Sequence, residues 1–386
     1  MSESSPYLTG SAISAVGKLG DTGTAGDTVF CHEHCVPAEL GPEIERLYEN
    51  IFSSFSHFAA YGGLPSDTCT YVAGNADAIS TIFLFRKQGD MVLVLNEGMQ
   101  LDSKSVQGFA NYVFARWPEI ARIVFHAVRT RFPAIPYAIQ RHECTAQVAL
   151  PLPSTEQAYF ESLGKNMRRN IRRYLKALVA DYPSFRFEVY GPEDVSDDHL
   201  RAIFNLSRLR ITGLNKSFAL DEEAEKIFAL AKLAGCTGVA TIDGKVVGGM
   251  IGFRTGGTYF AKVLGHDPAY KDFSLGILCC YLMIKECIAR GFTEFNFMWN
   301  EYPYKAALGG KRLALERLVI YRSPLHLLRH SRFAAQIAFS AWRYRLGTLP
   351  ERANMQESLS KWERAQVKSL LWIRKCRDVL RAKERI

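Results

Sequence analysis

No apolar run in this chain of 386 residues reaches the roughly 18 that a membrane-spanning helix needs. The first thirty residues contain no basic segment leading into an apolar one. On both counts the expected location is the cytoplasm. Nine cysteines, an odd number without regular spacing, do not make a disulfide framework. Cys279 and Cys280 fall in an apolar helical run and read as reduced core thiols. Cys31-His32-Glu33-His34-Cys35 has zinc-ligand residue types, but no second pair follows at finger spacing. Alternate residues of a strand also face opposite ways, so no metal is expected there. Nor is the composition that of a disordered or fibrous chain, with 48% hydrophobic and 23% charged residues.

Acidic residues are scarce in two places. From Arg322 to Ile386 there are fifteen Lys and Arg against five Asp and Glu, a net of +10, which leaves the rest near −1 of the total +9. From Ser162 to Ala180 there is no acid, while Lys165, Arg168, Arg169, Arg172, Arg173 and Lys176 flank an apolar stripe of Met167, Ile171, Leu175 and Leu178. That spacing is an amphipathic basic helix, suited to an anionic ligand or to a solvated face.

At this length two compact units are expected. Residues 1–27 are rich in Ser, Gly, Thr and Ala without a hydrophobic period and read as a flexible leader. Residues 42–58 have helical character, and 68–73, 78–86 and 91–95 read as strands. A helix capped by Asp102 and a strand at 122–128 follow. The second half runs in similar order: a strand at 185–190, two helices across 197–234, and strands at 238–242, 246–253 and 258–264. Asp243-Gly244 and Gly256-Gly257 serve as hairpin turns. A helix at 275–290 stops at Gly291, and strands at 293–298 and 315–321 complete the half. The predicted fold class is α/β (α+β), with mixed, mainly antiparallel sheets flanked by helices. Expected divisions are a leader at 1–27, a first lobe at 28–150, a second at 151–323 and a basic helical extension at 324–386. That extension reads as helices at 325–346 and 358–381, whose basic, aromatic faces suit an anionic membrane surface or a protein partner.

The segment from Leu264 to Gly276, the helix after it, Gly291, Phe295-Asn296-Phe297 and Tyr304-Lys305 resemble the GNAT acyltransferases related to FemAB transferases and cellulose-biosynthesis acetyltransferases. The segment from Leu163 to Arg173 fits the basic helix that opens the second lobe in that group, and the resemblance covers about residues 150 to 322. It implies two GNAT-like lobes, the first degenerate, and transfer of an acyl group from acyl-coenzyme A to an amine on a small or sugar-like acceptor, in envelope or exopolysaccharide synthesis. No permanently bound cofactor is expected, the thioester being a co-substrate. Two departures stand out. The phosphate loop reads Lys271-x-x-Ser274-x-Gly276, without the usual first glycine, and Asn296 stands where relatives often have Asp.

A helix N-terminus offers free N–H groups and the positive end of a dipole to a pyrophosphate. Lys271, Ser274, Leu275 and Gly276 are therefore candidates for donor binding, with Arg168 and Arg172 of the basic helix. By the resemblance Tyr304 is the acid that protonates the departing thiolate, with Lys305 as its electrostatic neighbour. Glu301, His266 and Asp267, just beyond strand ends, are candidates to accept the amine proton. Two rival readings go with this one. The first is an aminoacyl transferase using charged tRNA, with the basic helix as RNA contact; the second is a catalytically silent binding module, to which the two departures point.

Overall fold

A computed structural model describes residues 28–75, 78–213 and 217–354, with side chains as far as Leu349. The leader at 1–27 and the helix expected at 358–381 lie outside the described residues. In chain order the first elements are β1 (Thr28–His32), α1 (Gly41–Tyr48), α2 (Phe55–Ala60), β2 (Cys69–Gly74), β3 (Ile79–Gln88) and β4 (Met91–Val94). β5 (Gln100–Leu101), α3 (Ser103–Arg116), β6 (Arg122–Thr130) and β7 (Ala138–Pro151) follow. Next are α4 (Glu156–Ser162), α5 (Lys165–Asp181), β8 (Arg186–Tyr190), α6 (Asp197–Thr212), α7 (Ala224–Ala234), β9 (Thr237–Ile242), β10 (Lys245–Thr255) and β11 (Thr258–His266). The last are α8 (Leu275–Ala289), β12 (Glu294–Asn296), α9 (Pro303–Ala307), β13 (Lys311–Tyr321), α10 (Pro324–Arg329) and α11 (Ser331–Asn354).

The described residues form two compact units, one of 28–142 with 316–336, the other of 143–315 with 337–354. This division differs from the expected lobes at 150 and 323. The reason is a non-local pairing: the end of β13 joins β6 from Glu316↔Val128 to Tyr321↔Arg122 and so belongs to the first unit. Strand β7, which the sequence did not announce, crosses the other division.

In the first unit the strand order is β1-β2-β3-β4-β6-β13. The pairs in this order are antiparallel except β4 with β6, joined in parallel from Met91↔Arg122 to Leu93↔Val124, and the short β5 also pairs in parallel with β6. One face is closed by α3, whose Val106, Phe109, Ala110 and Val113 are buried against Phe83, Phe125, Leu318 and Ile320. The expected helix at 42–58 is broken at Glu49, which takes a left-handed φ of 42° and ends α1; Asn50 and Ser54 then cap short turns of their own.

In the second unit the order is β7-β12-β11-β10-β9-β8. Asp243 (φ 50°) and Gly244 (φ 75°) make the two-residue turn between β9 and β10 with both residues left-handed, the type I′ form their sequence specifies. Helix α8 carries the core: Leu275, Leu278, Cys279, Cys280, Met283, Ile284 and Cys287 are buried among Val247, Met250, Tyr259 and Phe295. Because it is apolar nearly all round, it lies sunk into the fold. Helix α6 seats on the sheet where there are no side chains. A Cβ on Gly265 would stand 2.1 Å from the Ile203 carbonyl oxygen, and Gly249, its partner across the ladder, faces the Ile203 side chain.

The helix expected at 325–346 is two helices parted at His330. In α11 the residues Ile337, Ala341 and Leu349 are buried while Phe339 and Trp342 stack on each other, exposed, at 5.7 Å. Among the described residues no helix is long and apolar enough to cross a membrane.

Candidate active site in the second unit

Parallel pairing of β11 with β12 lasts three residues, from Thr258↔Glu294 to Phe260↔Asn296. Beyond that point Phe297 and Met298 bond to Val148 of β7, and the rest of β11 continues without β12. The two strands therefore part, and the start of α8 follows directly from the end of β11. The turn between them is built by Asp267, whose carboxylate accepts the Ala269 N–H at 2.9 Å and opens a 3-10 turn over Pro268–Phe273.

Ser274 then takes φ 48° and ψ 46°, the left-handed conformation that glycine adopts without strain. The glycine missing from the phosphate-loop pattern is thus missing at the residue whose backbone calls for one. Ser274 has a compensating contact: its hydroxyl donates to Tyr174 of α5, and with Arg173 it lowers the Tyr174 pKa. Tyr182 at the end of α5 packs edge-on against Tyr270 and Phe273, at 5.3 and 5.8 Å. The basic helix lies against the turn, and the arginine on the Tyr174 ring, at 4.8 Å, is Arg173 rather than Arg168 or Arg172. Arg172 lies over the Phe160 ring at 4.7 Å and Arg168 donates to the Glu161 carbonyl. Lys271 is exposed on the turn. Leu275 and Gly276 are the first two residues of α8, in the turn whose N–H groups its own ladder does not use.

Gly276 is required by His266. A Cβ there would stand 2.7 Å from Cδ2 and 2.9 Å from Nε2 of that imidazole, so the ring rests on the first turn of α8. Burial, followed by the charge of Arg210, lowers the His266 pKa and keeps the ring neutral near pH 7. Arg210 comes from the last turn of α6, and its buried Nε has no hydrogen-bond partner among the described residues. It acts electrostatically on Tyr304 and Cys280 as well.

Tyr304, in α9, packs between Phe297 and Tyr302, with ring centroids at 6.4 and 6.1 Å. Burial, aided by Cys280, holds its phenol far above the ordinary range, so it keeps its proton. Lys305 is 3% exposed, and its ammonium donates to the carbonyls of Phe297 (2.8 Å) and Trp299 (2.6 Å). Burial lowers its pKa to about 8. It ties the chain beyond β12 to α9. Glu301 is 4% exposed and accepts from Arg312 Nε at 2.8 Å; Arg312 also pairs with Glu143. Burial works against the Arg312 charge, but hydrogen bonds to Glu301 and Glu143 outweigh it and raise the guanidinium pKa. Glu301 is thereby committed to an ion pair, and Asp267 to its turn, whereas His266 has its pKa lowered by burial. Asn296 is likewise explained locally: Nδ2 donates to Gln147 and Oδ1 accepts the Met298 N–H at 2.8 Å, a buried amide pair.

Of the residues singled out from sequence, His266, Ser274, Leu275, Gly276, Tyr304 and Lys305 converge around the parted strands and the start of α8. Arg210 and Cys280 join them without a sequence signal. In the first unit the helix at the corresponding place in the element order, α3, starts differently. The Asp102 carboxylate accepts from the amide and hydroxyl of Ser105, at 2.9 and 2.8 Å, and so occupies the helix start with negative charge.

Residues 165–306 match the family model described as Acetyltransferase (GNAT) domain. No curated protein matches the chain. Among solved structures, the crystal structure of FemX is similar at 10% identity over 77% of this chain and 99% of its own, with a TM-score of 0.52. The structure of L-PGS from Bacillus licheniformis shares 12% identity over 80% and 98%, with a TM-score of 0.44. A tandem GNAT protein from the clavulanic acid biosynthesis pathway shares 11% over 76% and 98%, at 0.34. At such identities the likeness is one of fold, and the chain carries a GNAT acetyltransferase domain fold in its second unit.

Proposed function

We propose that the second unit transfers an acyl group from an acyl-coenzyme A thioester to a primary amine on a small or sugar-like acceptor. The observation that carries this reading is the opening of β11 from β12 directly at the N-terminus of α8, with His266 and Tyr304 beside it. The N-terminal amides of α8 and the helix dipole would take the pyrophosphate, with Arg173 and Lys271 adding charge. The unpaired edge of β11 would hold the amide-bearing arm of the donor as an added strand does.

Each proton then has a place. An amine reacts only when uncharged, and the neutral imidazole of His266 can take its proton. As nitrogen attacks the thioester carbonyl, the carbon–sulfur bond breaks and the thiolate leaves with the electron pair. Tyr304, which keeps its proton, can donate a hydrogen bond to that sulfur as charge builds on it, and the thiolate takes its proton from solvent after release. Lys305 fixes Tyr304 by holding both ends of the 297–305 turn. Release of free thiol from acetyl-coenzyme A in the presence of a panel of amines tests the reading directly. Thiol release that no amine accelerates would refute it.

A second reading rests on α5, whose Lys165, Arg169, Arg172, Arg173 and Lys176 are exposed beside the turn. That face suits an RNA-borne aminoacyl donor, as the FemAB resemblance implies. Purified chain that carries nuclease-sensitive material, released by salt, would favour it over the thioester. The polysaccharide context and a membrane-facing role for the basic C-terminal segment belong to the same proposal and follow from the resemblance and the charge distribution.

A further inference from the structure

The sheet of the first unit has a face that α3 does not cover. Leu318↔Phe125 and Ile320↔Ile123 point into the core beneath α3, so the alternate residues Val124 and His126 lie on the other side, where Arg317, at the bulge between Glu316 and Leu318, joins them. There a cleft of about 320 Å³ opens, walled by Met91, Leu93, Leu95 and Val124 and closed on one side by Phe333 of α11. The Phe333 ring is itself fixed under the Arg122 guanidinium at 4.5 Å. Three charged or titratable side chains enter this mainly apolar space. Glu97 and His126 pair through Oε1 and Nδ1 at 2.9 Å. Arg317 has neither an ion pair nor a hydrogen bond among the described residues.

We infer that this cleft binds a small monocarboxylic acid with an apolar body, the carboxylate on Arg317 and the body along Met91, Leu93 and Phe333. A guanidinium fork matches a carboxylate in shape and charge, and an unpaired one lining an apolar cleft is a binding group awaiting its counterion. Glu97 on the same wall disfavours a dianion, which sets the ligand apart from a phosphate. The volume is at the small end for ligand sites and suits a body on the order of ten heavy atoms. Since every wall belongs to the first unit, the inference is independent of acyl transfer in the second.

Sodium octanoate titrated calorimetrically into the full chain tests it. Saturable binding of one molecule per chain is expected, weakened at least tenfold by Arg317→Met, several-fold by Arg317→Lys and abolished by Leu93→Trp. Octylamine and octyl phosphate should bind at least tenfold more weakly than octanoate, and saturating acetyl-coenzyme A should leave octanoate binding unchanged. Should Arg317→Met melt early, Arg317→Lys decides. Absence of binding, equal affinity for octylamine, affinity unaltered by both Arg317 variants, or competition by acetyl-coenzyme A would each overturn the assignment.

Discussion

Replacing Lys305 with Met should change how the stability of the chain depends on pH. The ammonium is buried with its pKa lowered from 10.5 to about 8, and it donates to two carbonyls. In the unfolded chain the amine holds its proton to higher pH than in the folded one. Stability therefore rises with pH, beginning near the folded value of about 8 and ending near 10.5. The whole effect is about 3 kcal/mol, of which less than half falls between pH 7 and 9. In Lys305→Met that rise disappears. At pH 7 the variant escapes the burial penalty but leaves the Phe297 and Trp299 carbonyls without a donor, at about 1–3 kcal/mol each, so its stability there should be close to or somewhat below that of the parent. Buried thiols such as Cys280, pushed up to about 12, act in the opposite sense above pH 9, but they are common to both proteins and drop out of the difference. Urea unfolding midpoints of both proteins at pH 7, 8 and 9 give the comparison. Parallel pH curves would show that Lys305 carries no burial penalty and would refute its role as a charged tie between β12 and α9.

Tyr304→Phe should lower turnover by roughly tenfold to a hundredfold with donor affinity almost unchanged, in steady-state thiol-release assays with an accepted amine. An unaltered rate would leave Tyr304 only its packing against Phe297. Ser274→Gly exchanges relief of left-handed strain for loss of the Tyr174 contact, so thermal melting should shift by no more than the equivalent of about 1 kcal/mol and donor binding should persist. Loss of binding would mean that the hydroxyl itself holds the donor. Removal of residues 355–386, which retains the buried Ile337, Ala341 and Leu349, should spare thioester binding but weaken flotation with anionic liposomes at low salt. Equal flotation with and without the segment would contradict that reading.

The elements legible in the sequence were those specified by local chemistry. Asp243-Gly244 needs two left-handed residues, Gly291 ends α8 at φ 76°, and Asp102 caps α3; all three stand as read. Strand β7 was illegible because Arg141, His142, Glu143 and Gln147 interrupt its apolar alternation. Two of them find partners only in the folded chain, Glu143 in Arg312 and Gln147 in Asn296. The same distance in sequence hid the place of β13, whose second half pairs with a strand nearly two hundred residues earlier. In the site, Gly276 and Ser274 were visible through their pattern, whereas Arg210 carries no motif. It arrives because α6 seats on the glycine pair of β10 and β11 at Ile203, about two turns before it. The roles of Glu301 and Lys305 changed for a related reason: a buried charge next to a strand end looks reactive in sequence, and only the fold shows its partners.

The central claim, that the start of α8 receives an acyl-coenzyme A donor, is tested most directly by calorimetric titration of acetyl-coenzyme A into the parent chain and into Gly276→Val. A Cβ at 276 meets the His266 ring at under 3 Å, and the added methyl groups would crowd the first turn of α8. The account predicts one site per parent chain and no measurable heat in Gly276→Val, with the far-ultraviolet circular dichroism of the variant unchanged. An absence of binding to the parent, or equal affinity in a folded Gly276→Val chain, would contradict it.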